Sequence, residues 1–176
     1  RQALLGNATT ETNGIYRLGT DWNNDSFELP SGVTPNQADV LRVATAQIAK
    51  NNYNATYNVR KPWDAMKLDL QRDADNQYLI PPFVSQDGQR IAGTSTIENN
   101  GITAGTFLIG DFTRPTMYIR RGVEIGFKEI GDDAKYDAVH MYMSMRANIL
   151  FPTNERKSMI KGSFANSIAA LTASES

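Results

Sequence analysis

The residues of this 176-residue chain that could do chemistry are few and scattered. It has no cysteine, which rules out disulfides, thiolate metal sites and cysteine nucleophiles. There is one histidine, His140, so a multi-histidine metal site cannot be built from this chain alone. His140 falls on the polar side of an alternating run and reads as a solvated or interface imidazole rather than a base. Asp132 and Asp133 beside Gly131 could supply half of an oxygen-rich cation site, but an acidic turn is the simpler reading. Asp64, Asp69, Asp73 and Asp75 show no spacing that would pair carboxylates on one helix face for acid–base work. Ser31, Ser85 and Ser163 lack the glycine-flanked elbow of a serine hydrolase, and there is no glycine-rich phosphate loop. The residues give no enzymatic site, no cofactor and no metal.

The elements that must position these residues form an α+β order. Apolar residues make up 40% and charged residues 21% of the chain, as in an ordinary globular protein with a real core. A formal net charge of −1 argues against a dedicated nucleic-acid binder, and no run of apolar residues is long enough to span a membrane. Asn-X-Ser/Thr triplets at Asn7, Asn24 and Asn54 read as chance in an asparagine-rich chain. The opening Arg-Gln-Ala-Leu-Leu-Gly looks like the end of a helix stopped by Gly6, so a fragment of a longer protein is expected. Residues 7–29 read as an irregular connector.

Thr34-Pro35-Asn36-Gln37 then reads as a capping box, with Val40, Leu41, Ala44, Ile48 and Ala49 as an apolar stripe on a helix ending near Lys50. A strand is expected over Ala55–Val59. A second helix starts at Pro62, with Trp63, Met66 and Leu70 recurring at helical spacing. Asp87-Gly88 is a hairpin signal, and Asn99-Asn100-Gly101 marks another turn. Short strands are expected at Thr106–Ile109, Met117–Arg121 and Val123–Phe127. The clearest strand is Val139–Ala147, whose Met141, Met143 and Met145 should face a core while His140, Tyr142 and Arg146 point away. A last strand, Met159–Phe164, precedes a small-residue tail expected to fray. Trp63, Leu41, Ile48, Leu108 and Met143 should be buried.

The run TFLIGDFTRPTMYIRRGVEIGF (Thr106–Phe127) and the ending NILFPTNERKSMIKGSF (Asn148–Phe164) resemble the major capsid proteins of tailed bacteriophages, the Hong Kong 97 fold. The helix, strand, turn and helix of Val33–Asp73, the segment QYLIPPF (Gln77–Phe83) and the passage Gly93–Phe112 fit the same order. The resemblance covers roughly Ala3 to Phe164. It implies an axial-like domain over residues 21–119, part of a peripheral-like domain over 1–20 and 120–170, and a flexible tail over 171–176. The family's N-terminal arm, extended loop and most of its spine helix would lie before Arg1.

The implied function is that of a structural, non-enzymatic subunit of a phage or prophage icosahedral shell, self-assembling into pentamers and hexamers. An encapsulin-like compartment protein and a small α+β ligand-binding or enzymatic domain are the alternatives. Implied partners are copies of itself, with scaffold, portal or decoration proteins possible and packaged DNA only as non-specific cargo. Its place would be the virion, after synthesis in the host bacterial cytoplasm, and the piece alone should be monomeric or a small oligomer. Some family members form lysine–asparagine cross-links. Here Asp137 and Ser144 stand where the asparagine and its glutamate base would be, so no such cross-linking is expected. The loop KEIGDDAK (Lys128–Lys135) corresponds to one that reaches neighbouring capsomers, which makes Lys128, Glu129, Asp132 and Asp133 the subunit-contact candidates.

Overall fold

The structure, a computed structural model, describes residues 14–25, 27, 29–30, 32–72, 76, 78, 84, 90–129, 131, 135–136 and 139–172. The described residues up to Arg114, with those from Phe151 onward, form one compact unit, the body; Pro115–Leu150 form a second, the ribbon. The last strand and helix pack with the body.

The body is built on a six-stranded mixed sheet in the order β1-β8-β5-β2-β4-β3. Its strands are β1 (Thr20–Asp21), β2 (Tyr57–Arg60), β3 (Arg90–Ile91), β4 (Thr94–Glu98), β5 (Thr106–Gly110) and β8 (Met159–Ser163). Strand β5 is central, antiparallel to both β2 and β8, and Phe107, Leu108 and Ile109 are all buried. A strand covered on both faces needs a continuous apolar run, and FLI supplies one. Phe107 and Ile109 enter the main core, whereas Leu108 lies near Gly19, just past the short helix α1 (Ile15–Leu18). Gly110 must be glycine, because a Cβ there would run into the Ser158 carbonyl and the Met159 backbone.

Helix α2 (Gln37–Lys50) carries the core on Ala38, Val40, Leu41, Ala44 and Ile48, while Ala49 is exposed. Its N-terminus lies two residues later than expected. The cap is Asn36, whose Oδ1 accepts from the Asp39 amide at 3.0 Å while Asp39 Oδ2 accepts from the Asn36 amide at 2.9 Å. The reciprocal pair meets the same need as the expected Thr34–Gln37 box, with the shorter Asn and Asp side chains.

Helix α3 (Pro62–Asp69) has Pro62 at its first position, as expected, but buries the opposite face. Asp64, Ala65 and Leu68 point inward, whereas Trp63, Met66 and Leu70 are exposed, Trp63 by 62%. The apolar spacing marked the solvent stripe because Asp64 is the inward group. Its Oδ2 accepts from the Gly105 amide at 2.7 Å and fixes the turn into β5.

The expected fraying tail is corrected as well. Phe164–Leu171 form helix α4, with Phe164 and Leu171 buried and Phe107 and Phe164 rings 4.9 Å apart. Apolar residues at i, i+4 and i+7 (Phe164, Ile168, Leu171) give it a core stripe against α2. Leu171, placed in the flexible tail by sequence, is fully buried. The Asp87-Gly88 turn and the Gly6 helix stop lie outside the described residues. The antiparallel bridge Val84–Ile91 is the element that such a hairpin would close.

Candidate functional site

The ribbon consists of two long antiparallel strands, β6 (Thr116–Lys128) and β7 (His140–Leu150). The two short strands expected between Met117 and Phe127 are one strand, irregular in its middle. From Ile119↔Ala147 to Ile125↔Met143, β6 advances six residues and β7 four, with register shifts on either side of Arg121. Two extra residues on β6, spent as bulges, restore the parity of the pleat. Met117, Ile119, Ile125 and Phe127 therefore lie opposite Ile149, Ala147, Met143 and Met141 on one face. Tyr118, Arg121, Glu124, Gly126 and Lys128 lie opposite Asn148, Arg146, Ser144, Tyr142 and His140 on the other.

The apolar face is uncovered within the described residues. Phe127, Met143 and Met141 are 72%, 68% and 67% exposed, and Ile119, Val123 and Ile125 are exposed too. The expectation that Met143 is buried is thus corrected. Alternation correctly placed the methionines on one face, but a two-stranded ribbon has no second layer of its own to bury them. A contiguous apolar face of this kind marks a contact surface rather than a pocket. The polar face is held by local pairs. Arg121 donates to Glu124 through two nitrogens, which offsets part of the repulsion from Arg146 directly across the strands. The Tyr142 ring stacks where a Gly126 side chain would be.

Of the four contact candidates, Lys128 ends β6, is exposed and pairs in register with His140. Glu129 follows it and is also exposed. Asp132 and Asp133 lie outside the described residues, as do Asp73, Asp75, Ser31 and Ser85; Gly131 adopts a positive φ of 63°, in keeping with a turn. Of the remaining residues weighed as catalytic, Asp64 is structural, Asp69 is exposed, and Ser163 precedes α4 without a side-chain capping bond. No group of three or more metal-ligating side chains occurs among the described residues.

Sequence reasoning missed two polar clusters in the body. Asp111 Oδ1 accepts from the Thr113 amide at 3.0 Å and the Thr113 hydroxyl at 2.6 Å, and Oδ2 accepts from Arg114 Nε at 3.2 Å. Burial alone would raise its pKa, but these hydrogen bonds and the Arg114 charge outweigh it and hold the carboxyl below its ordinary value. Arg114 also reaches Glu155 at 4.0 Å and lies over the Tyr53 ring, which ties the turn GDFTR to the rest of the body. The second cluster is Arg60, fully buried on β2 and donating to Thr96 Oγ1 at 3.4 Å. Desolvation lowers its pKa, and Asp69, Glu98 and Asp64 partly offset that. An Asp-x-Thr turn signal was present at Asp111–Thr113; nothing in the pattern around Arg60 distinguishes it from a surface arginine.

The described residues thus form a small body with a closed core and a ribbon with an apolar face that none of them covers. The chain belongs to the phage capsid family, whose family model matches residues 1–150. No curated protein sequence matches it. Among solved structures, a chain from Gordonia phage Cozz matches with a TM-score of 0.63 at 16% identity, over 93% of this chain and 55% of that one. A chain from Mycobacterium phage Adephagia matches with a TM-score of 0.62 at 15% identity, over 85% and 52%. A chain of the capsid of an empty GTA particle, computed with C5 symmetry, matches with a TM-score of 0.59 at 16% identity, over 93% and 60%. The fold is therefore the α+β Hong Kong 97-type capsid fold, and this chain spans 50–60% of the length of the solved chains it matches.

Proposed function

We propose that the chain is a structural subunit of a phage or prophage icosahedral shell, acting by self-assembly into pentamers and hexamers. The observation that carries this reading is the ribbon's apolar face, uncovered among the described residues as a surface for meeting other copies would be. Family membership and the capsid fold support it. In this reading residues 21–119 are axial-like, and residues 1–20 and 120–170 are part of a peripheral-like domain. The protein resides in the virion capsid after synthesis in the host cytoplasm and catalyses nothing. Its main partners are copies of itself, with scaffold and portal proteins as further ones and DNA as non-specific cargo. Lys128 and Glu129, with Asp132 and Asp133, serve as intersubunit contacts at the ribbon tip. Quantitative mass spectrometry of purified particles tests the assignment: peptides of this chain should dominate the shell protein. Particles in which they are absent or present at a few copies would refute it.

A further inference from the structure

The turn Asn99-Asn100-Gly101 leads from β4 towards β5 and has no part in the contacts described so far. An Asn-Gly pair leaves the glycine nitrogen unhindered, because no side chain stands beside it, and that nitrogen can attack the side-chain amide carbon of the asparagine. Asn100 is exposed in the turn, and Gly101 follows it half-buried. The backbone does not require glycine there: positive φ angles occur at Gly32, Gly93, Gly105 and Gly131, not at Gly101. The turn is held at both ends. The Asn99 amide donates to the Arg60 carbonyl at 2.9 Å, and Ile102 is buried. In its middle the Gly101 amide donates to Asn99 Oδ1 at 2.8 Å, the bond of an asparagine side chain to the backbone two residues on.

We propose that Asn100 is a site of spontaneous deamidation, and that Asn99 sets its rate by holding the nitrogen that attacks. The reaction needs no co-reactant but water. The Gly101 N–H gives its proton to solvent base, the nitrogen bonds to Asn100 Cγ, and the side-chain nitrogen leaves as ammonia, taking up a proton from solvent. Water then opens the cyclic imide at either carbonyl, giving aspartate or isoaspartate. Either product adds a negative charge. Isoaspartate also lengthens the main chain by one atom between the two fixed ends of the turn. While Asn99 Oδ1 accepts from Gly101, that N–H is harder to deprotonate and the nitrogen is not free to turn towards Cγ. A bond of this kind is worth about 1 kcal/mol, or roughly fivefold in a rate. Asn100 is the reacting residue and Asn99 the positioning one.

Peptide mapping by mass spectrometry tests this on the full-length protein, held in mildly alkaline buffer and sampled over time. Conversion at Asn100 should be slower in the folded protein than in the same protein unfolded in guanidinium chloride. Asn99→Ala should speed the folded protein's reaction about fivefold and leave the unfolded rate nearly unchanged, with circular dichroism confirming the fold. Asn99→Asp keeps an acceptor in place and should stay near wild type. Asn99→Ser, whose hydroxyl makes the same bond more weakly, should fall between, and it carries the test if the alanine variant does not fold. Gly101→Ala shields the nitrogen and should suppress conversion whether folded or unfolded. The sequence has a second Asn-Gly pair, Asn13-Gly14, whose rate should ignore every change at Asn99. Equal rates at Asn100 in folded and unfolded protein, or folded Asn99→Ala and Asn99→Ser variants no faster than wild type, would overturn the proposal. So would a Gly101→Ala rate as fast as wild type, or an acceleration at Asn13 as large as that at Asn100.

Discussion

The body and the ribbon use the same apolar alphabet to opposite ends. In β5, Phe107, Leu108 and Ile109 vanish into the interior because α2 and α4 cover one face and the α1 segment approaches the other. In β7, Met141, Met143 and Met145 keep strict alternation and remain in solvent. Strand periodicity specifies which side chains share a face. Whether that face is buried depends on a second layer that periodicity does not report. One region is thus stabilised by its own packing, and the other leaves its apolar face exposed among the described residues.

Truncations should separate the two most sharply. Leu41→Ala removes methyl groups from a fully buried site on α2 and should cost about 2–5 kcal/mol in denaturant unfolding, as core deletions do. Met143→Ala should cost less than about 0.5 kcal/mol in the same chain, because the side chain is already in water. Equal losses at the two sites would mean that the ribbon face is covered in solution.

The Asp111 turn gives the next largest effect. Hydrogen bonds to a carboxylate contribute about 1.5–3 kcal/mol each, and the half-exposed Arg114 adds less, so Asp111→Asn should lose about 2 kcal/mol near neutral pH. The sign of its pH dependence follows from the depressed carboxyl. Stability contributed by the charged form is present above the ordinary value of 3.8 and is lost as pH falls through the lower folded value. The gap in melting temperature between wild type and variant should therefore narrow below about pH 4. A gap that stays constant to pH 2 would show that the carboxylate charge is not what the turn uses.

Trp63→Ala should change the stability of the isolated chain by no more than about 0.5 kcal/mol, since the indole is mostly in solvent. A loss of several kcal/mol would return Trp63 to the core, where its spacing first placed it.

That misplacement shows where the sequence was legible and where it was not. The α2 core face, its stop at Lys50, Pro62 at a helix start and the central strand around Leu108 followed from period, caps and turns. The face of α3 did not, because the residue that anchors it is Asp64, whose bond to the Gly105 amide joins positions 41 apart in sequence. Helix α4 hid behind small residues: FANSIAAL carries the stripe Phe164, Ile168 and Leu171, but the short helix gains its burial from packing in the core with α2, which lies far away in sequence. The ribbon's faces were read correctly, but the two bulges that align them are tertiary adjustments with no local signature. At the tip, Lys128 and Glu129 are exposed, and their contact role came from the resemblance rather than from period or spacing.

The smallest expected effect on folding is at that tip. Lys128 closes β6 in an exposed position opposite His140, so reversing it to Glu leaves the core untouched. An exposed charge contributes little to stability, and Lys128→Glu should shift unfolding by less than about 0.5 kcal/mol. The same reversal acts differently once copies meet. If ribbon tips approach one another in a shell, every symmetry-related contact gains a repulsive charge, and the cost multiplies with the number of contacts. Assembly of the full-length protein should then fall at low salt and recover in part as ionic strength rises, because screening shortens the reach of the added charge. Light scattering across a salt series, on wild type and Lys128→Glu side by side, measures both arms. Indistinguishable assembly at low salt would remove the tip from the contact surface while leaving the ribbon's apolar face in place.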